Sequence, residues 1–419
     1  MIVTIERLGH RGDGIATAPD GTPLHLPGAL PGEVVEVGAQ MRILTPSPDR
    51  LRPPCRHART CGGCALQHAR DGFVAEWKLG LVRRALAARG IAAALTGPVT
   101  SPPQSRQRAT LAALRTRGGV IVGFHRRGSA EVVTVPGCIL LHPELMAAFP
   151  AVEAIARLGA ARAGRLDVTL TRTLAGVDVA VAGGKPADAA LLAGLAALAE
   201  AHGLPRIAWD GRLAVQRAEP AVMIGRARVP LPPGAFLQPT AAGAAALTAA
   251  VRRATAGARR IADLFAGCGT FALPLAEAAE VHAAESDAGM VAALLAGWRS
   301  AAGLRRITAE ARDLFRRPLL PDELRRFDAA VIDPPRAGAA AQTAALAAAG
   351  VPVIAAVSCN PATFARDAAM LVAADYVPDW ITVVDQFRWS PHVELAARFR
   401  LPHIAPQAAD GTADAAATA

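Results

Sequence analysis

Three patterns of apolar and polar positions follow one another along the chain. Over residues 1 to about 50, apolar positions alternate with polar ones in short runs, "MIVTIERL", "IATAPDGTPLHL" and "PGALPGEVVEV", separated by Gly and Pro. Such runs predict short strands joined by turns, closing into a small β-barrel. From about 70 to 230 the pattern is mixed: a helical stretch, "DGFVAEWKLGLVRRALAARG", precedes "RQRATLAALRTRGGVIVGFHRRGS", which predicts a hairpin turning at Gly118-Gly119. From about 235 to 403, runs of strand length alternate with helical stretches, as in βαβ units on a parallel sheet. After His403 the periodicity stops, and a disordered tail is expected. The fold class is therefore α/β in the C-terminal part. Expected divisions are 1–52 for the barrel, 53–232 for a central α+β domain, 233–403 for the doubly wound domain and 404–419 for the tail.

Composition changes this picture in two ways. At 419 residues, 52% of them hydrophobic, the chain can fill more than one core. A long uncharged stretch, Ala337 to Ser358, is long enough to cross a bilayer, but alanine dominates it and Gln342, Thr343, Gly350 and Pro352 interrupt it, so it reads as a helix and then a strand. With no basic flank and apolar core at the N-terminus, a cytoplasmic protein with no membrane partner is expected. The net charge of +10 favours a polyanion such as nucleic acid. All of the 45 basic residues except Lys78 and Lys185 are arginines, a choice that codon bias explains; the excess of base over acid it does not.

Six cysteines add chemistry, at 55, 61, 64, 138, 268 and 359. Cys55, Cys61 and Cys64 lie in "CRHARTCGGC", where two glycines let the close pair turn toward one point. Cys138 in "VPGCIL" is the candidate fourth thiol. Such a set holds either tetrahedral zinc or an iron-sulfur cluster. A disulfide framework does not suit a cytoplasmic chain of this length.

Signatures at the ends of apolar runs converge in the C-terminal part. "RRIADLFAGCGTF" ends in a glycine loop, "EVHAAESD" in Glu285, "RITAEARDL" in Asp313, "FDAAVIDPPR" in Asp333 and "VPVIAAVSCNP" in Cys359. In an open doubly wound sheet, ligands bind beyond the carboxyl ends of the strands, so these signatures line one crevice. Glu285 is placed to accept hydrogen bonds from ribose hydroxyls, and Asp313 to meet an adenine amino group. With no third glycine in the loop, S-adenosylmethionine suits the crevice better than a nicotinamide dinucleotide. Cys359 beside Asp333 is a candidate nucleophile, and Glu394, opening a strand after Pro391 and His392, a candidate general base.

Taken together these motifs resemble the RNA 5-methyluridine methyltransferases, in particular their three-domain bacterial members. "GDGIATAPDG" and "LPGALPGEVVEV" resemble the family's TRAM domain, and "CGGCALQH" with Cys55 and Cys138 its 4Fe-4S site. "AFLQPT", "DLFAGCGTF", "AAESD", "RDLF", "DPPRAG", "SCNPATFARD" and "SPHVE" resemble its catalytic motifs in order. The resemblance implies a Rossmann-like class I S-adenosylmethionine-dependent methyltransferase domain. It implies that Gln238, Phe265, Thr270, Glu285, Asp313 and Asp333 neighbour S-adenosylmethionine or the target base, that Cys359 adds to C6 of uracil, and that Glu394 removes the C5 proton. Thr270 and the "QPT" after Phe236-Leu237 depart from the family, which usually carries asparagine at both places. The cysteine set and TRAM-like barrel point to large-subunit ribosomal RNA, read by a monomer that flips an unpaired nucleotide out. Arg106, Arg108, Arg115, Arg117, Arg126 and Arg127 on the hairpin are expected to contact phosphates. A cytosine-5 methyltransferase, a catalytically silent RNA-binding assembly factor and a cysteine hydrolase are the competing readings.

Overall fold

The computed structural model describes residues 1–402; the tail expected over 404–419 lies outside the described residues. The N-terminal strands form two small sheets. Ile2–Thr4, Val34–Glu36 and Arg42–Thr45 make one, and Arg7–Leu8, Asp13–Thr17 and Pro23–Pro27 the other. Both close over Val3, Ile5, Ala16, Leu26, Ala29 and Val35, the inward positions of the alternating pattern. Glu33 is fully buried there and accepts from the amides of Leu30 and Ser47 and from the Arg50 guanidinium, so it clips the barrel to the segment that follows.

The central layer is a seven-stranded sheet. Its hairpin pairs Arg108–Thr116 with Gly119–His125, and Thr116 opposite Gly119 leaves Arg117-Gly118 as the turn, one residue earlier than the sequence suggests. Helices Phe149–Gly159 and Ala189–Ala201 cover one face through Val152, Ile155, Leu191 and Leu195.

The C-terminal sheet has eight strands, ordered Ile307–Ala311, Glu280–Glu285, Arg260–Leu264, Ala329–Ile332, Val353–Ser358, Glu394–Arg400, Val377–Asp385 and Leu95–Thr100. The first five are parallel, and Glu394–Arg400 runs antiparallel between Val353–Ser358 and Val377–Asp385. This is the sheet of class I S-adenosylmethionine-dependent methyltransferases, here with a strand added at the far edge. That strand, Leu95–Thr100, and helix Asp71–Ala87 come from the segment that sequence pattern assigns to the central domain. Helix residues Leu79, Val82 and Leu86 pack into the C-terminal core, and Lys78, fully buried, pairs with Asp385 at the end of its strand. Burial pushes Lys78 down and Asp385 up, toward their neutral forms, and their mutual attraction opposes it. The run 337–358 is a helix, Ala340–Ala349, and a strand, Val353–Ser358. Among the described residues no helix is long and apolar enough to cross a membrane.

Candidate active site

The strand Arg260–Leu264 ends at Phe265, whose φ of 64° is unusual for a bulky side chain. Amides of Phe265 and Ala266 reach back to the Ala284 carbonyl at 2.9 and 3.2 Å, which holds that conformation. At Gly269, φ is 97° and an added Cβ would stand 2.9 Å from Leu273, so glycine is needed on both counts. The loop so formed presents the Gly267 amide to Glu285 Oε2 at 3.0 Å, while Oε1 accepts from Ser286 Oγ and the Asp287 amide. Of roughly four acceptor positions on a carboxylate, these occupy all but one, on Oε2. Glu285 is thereby aimed before any ligand arrives. Asp313 is held likewise: its Oδ1 accepts from the amides of Phe315 and Arg316.

Every residue singled out from the sequence for cofactor or base lies on one cleft of about 600 Å³: Gln238, Phe265, Thr270, Glu285, Asp313, Asp333, Cys359 and Glu394. Asp333 follows its strand directly and donates its amide to the Leu264 carbonyl. Cys359 ends Val353–Ser358, and Pro361, with Asn360 as N-cap, opens the helix Pro361–Val372 behind it rather than making a turn. The "ARD" of this helix does not enter the cleft. Asp367 accepts from the Ala339 amide and Arg366 donates to the Ala337 carbonyl, which ties down the loop after Asp333. A larger cavity of about 790 Å³ adjoins the cleft and shares Gln238 and Thr270 with it; its charged groups Arg172 and Arg252 pair with Glu144 and Glu277, which leaves the chemistry to the cleft.

The cleft is acid-rich. Burial pushes Glu394 up to about 8, helped by Asp333 and opposed by Gln386 and Arg336. Asp333 rises to about 7 through burial alone. Cys359 rises to about 11, mainly through burial and then through Glu394 and Asp333. Two members escaped sequence reading. Asp263, fully buried beneath the glycine loop, is pushed up to about 8 by burial first and then by Asp333 and Glu285, with the Ala272 amide opposing. A lone acid inside the apolar run "RRIADLF" was its signal. Gln386 is buried beside Glu394 and donates to Gln238 Oε1 at 2.6 Å.

Cys55, Cys61, Cys64 and Cys138 surround a separate small cavity. All four are free thiols, and Cys55 Sγ and Cys61 Sγ accept from the amides of His57 and Gly63, each at 3.4 Å. Burial, with the other three cysteines adding to it, pushes the Cys64 thiol up to about 12. Among the described residues no three or more Cys, His, Asp or Glu side chains form a group that could hold a metal ion.

The hairpin arginines are mostly engaged within the protein. Arg106 and Arg108 donate to the carbonyls of Arg108, Ala235 and Gly234, Arg115 to Ala160, and Arg126 and Arg127 pair with Glu131 and Asp13. Arg108, Arg115 and Arg127 tie distant segments together, Arg106 and Arg126 bond locally, and of the set only Arg117, in the turn, stands exposed without a hydrogen bond or ion pair among the described residues.

Sheet order and cleft define a class I methyltransferase fold with a TRAM domain in front of it. The profile for tRNA (Uracil-5-)-methyltransferase matches residues 229–399, and the TRAM domain profile residues 1–40. The chain is 33% identical to the 23S rRNA (uracil(1939)-C(5))-methyltransferase of Halomonas elongata, over 94% of this chain and 88% of that one. It is 43% identical to an uncharacterized RNA methyltransferase of Brucella suis biovar 1, over 94% and 96% of the two chains. In fold it is similar to the Pyrococcus abyssi tRNA (uracil-54, C5)-methyltransferase solved with S-adenosyl-L-homocysteine: TM-score 0.75, 23% identity, 95% and 99% coverage. The chain belongs to the RNA uracil-5-methyltransferase family and is an RNA methyltransferase.

Proposed function

We propose that the chain transfers the methyl group of S-adenosylmethionine to C5 of a uridine in RNA, through a covalent bond between Cys359 and C6. The observation that carries this reading is the placement of Cys359, Glu394 and Asp333 at the ends of three neighbouring strands, in one cleft with Glu285 and Asp313. A cleft of buried acids suits the cationic sulfonium and ammonium of this donor and opposes the pyrophosphate of a dinucleotide. In this reading the free Oε2 position of Glu285 takes a ribose hydroxyl, and Asp313 the adenine edge.

Uracil C5 is a poor nucleophile. The Cys359 thiolate adds to C6, which makes C5 enolate-like; C5 then takes the methyl group as the methyl–sulfur bond breaks and S-adenosylhomocysteine forms. Glu394 takes the C5 proton, the C5–C6 double bond re-forms, and the thiolate leaves. Charge in the cleft orders these steps. The sulfonium lowers the cost of ionising Cys359 and Glu394, and its conversion to a neutral thioether removes that help. The Glu394 carboxylate thus becomes more basic at the moment a base is needed.

The substrate proposed is large-subunit ribosomal RNA, supported by the TRAM domain, the cysteine set and the Halomonas elongata relative. For the cysteines we propose a 4Fe-4S cluster. Four thiols around one cavity are a set that zinc or an iron-sulfur cluster takes, and the motif's resemblance favours the cluster; the amides donated to Cys55 Sγ and Cys61 Sγ are of the kind that cluster thiolates accept. It would supply cross-linking of the loop to Cys138, since methyl transfer to an activated base needs no electron.

The test is proton loss. RNA carrying tritium at uridine C5 should release it to water only when S-adenosylmethionine is present, and RNA carrying it at cytidine C5 should release none. Release from cytidine in place of uridine would overturn the reading.

A further inference from the structure

The loop that delivers Glu394 is held from outside its own domain. Trp389 is buried with φ of 60°, a conformation that needs support in a bulky residue. Its carbonyl accepts two hydrogen bonds, from the amides of Ala65 at 2.8 Å and Leu66 at 2.9 Å. These two residues follow Cys64 directly. Leu66 is fully buried and packs with Leu8 and Leu30 of the barrel and with Val74 and Trp77 of helix Asp71–Ala87. The cysteine loop itself is pinned at its other side, where the Gly62 amide meets the His125 carbonyl and the Cys55 amide meets Gln67 Oε1. From Trp389 the chain runs through Ser390, whose Oγ accepts from the His392 amide, to Glu394 five residues on. Arg336, on the loop after Asp333, meets His392 Nδ1 at 3.1 Å on the way.

We propose that the Ala65 and Leu66 amides position Glu394 by fixing the Trp389 carbonyl, so that the segment after the cysteine loop governs proton removal rather than donor binding. The proposal rests on the reading of Glu394 as the base. Glu285, Asp313 and the glycine loop lie on other strands, and none of them touches the Trp389 loop by a hydrogen bond among the described residues. Among the described residues the link from this segment to the residues named for cofactor or base is Gln386, buried just after the strand Val377–Asp385, which donates to Gln238 Oε1; loosening the loop at Trp389 should therefore leave Glu285, Asp313 and the glycine loop in place and slow the step that needs Glu394. The same route makes the cysteine site a support for catalysis without placing it in the cleft.

The experiment compares Ala65→Pro, which removes one amide donor, with Ala65→Gly, which keeps it. An ester in place of the same amide removes the donor without a proline ring, and it decides the matter should Ala65→Pro fail to fold. The full chain is assayed with RNA from cells lacking the gene, tritiated at uridine C5. The expected result is S-adenosylhomocysteine binding within twofold of wild type for all variants. Tritium release falls about tenfold in the proline and ester forms, the factor expected for removing one buried hydrogen bond, and methylated protein–RNA adduct accumulates. Ala65→Gly should release tritium at close to the wild-type rate. Equal losses in donor binding and tritium release, or no loss in either, would overturn the proposal. Glu394→Gln run beside them separates the two claims. If it accumulates no methylated adduct, the base assignment fails; if it does and the ester form does not, only the positioning role fails.

Discussion

Cys359 and Glu394 are neighbours at one end of an antiparallel strand pair: Ser358 pairs with Leu395, Cys359 follows the one and Glu394 precedes the other, and the Glu394 carboxylate helps burial to raise the Cys359 thiol. A thiol that adds to one face of a flat base and a carboxylate that removes a proton from the adjacent carbon need such proximity, and the strand pairing brings the two chain segments together while the Trp389 loop enters the strand at Glu394. The pair should separate cleanly by substitution. Cys359→Ala should form neither product nor covalent RNA adduct. Glu394→Gln should form the methylated adduct and fail to release it, seen as a protein–RNA band that survives denaturing electrophoresis. The double variant should show no adduct. Turnover of Glu394→Gln near the wild-type rate would move the proton to another group, with Asp333 and His392 next to be tested.

Acidity in the cleft fixes a pH dependence. Glu394 must be ionised to act; burial raises it to about 8 in the donor-free protein and the bound sulfonium lowers it from there, so single-turnover rates should rise with pH and level off by that region. Stability should move the other way. Asp263 has its folded value raised from 3.8 to about 8, so the folded state holds a proton that the unfolded chain releases between those values. Stability from this group is present below about 4 and is lost as pH rises toward 8, by at most about 1.4 kcal/mol per pH unit. Asp263→Asn should flatten the decline of Tm between pH 5 and 8, measured by calorimetry on the donor-free protein. A slope equal to the wild type's would mean that Asp263 finds a partner in solution.

Anaerobic purification should yield brown protein with about four irons per chain. Serine at Cys55, Cys61, Cys64 or Cys138 should remove the iron and loosen the loop, whereas serine at Cys268, buried within the glycine loop, should leave iron unchanged. Stoichiometric zinc without iron would contradict the cluster.

RNA binding should follow the exposed arginines. Arg52, Arg56 and Arg59 flank the cysteine loop, are exposed, and make no ion pair among the described residues. Replacing all three with alanine should weaken RNA binding and flatten its dependence on log salt by roughly 0.7 for each single-strand phosphate no longer neutralised. Arg106→Ala and Arg108→Ala should instead lower Tm, because Arg108 donates to the distant Ala235 and Gly234 carbonyls and Arg106 to the Arg108 carbonyl beside it. An unchanged salt slope in the triple variant would place the RNA elsewhere.

Much of the cleft was legible because its chemistry sits where periodicity breaks: Glu285, Asp313, Asp333 and Cys359 each end an apolar run, and strand ends in a parallel sheet share one side. What stayed hidden depends on contacts between distant segments. Nothing local marks Leu95–Thr100 as the last strand of a sheet whose other members begin at Arg260, or Lys78 as the partner of Asp385. Backbone partners are invisible in the same way, since the Trp389 carbonyl takes amides from residues more than three hundred positions earlier. The arginines' partners are hidden for a related reason: "RQRATLAALRTR" shows its charges but not the carbonyls that Arg108 and Arg115 meet.

The most direct measurement is nucleoside mass spectrometry on RNA treated with the purified chain and S-adenosylmethionine. The RNA is ribosomal and transfer RNA from cells lacking the gene, with Cys359→Ala as control. The account predicts new 5-methyluridine in large-subunit ribosomal RNA, absent with Cys359→Ala. New 5-methylcytidine, or 5-methyluridine formed equally well by Cys359→Ala, would contradict it.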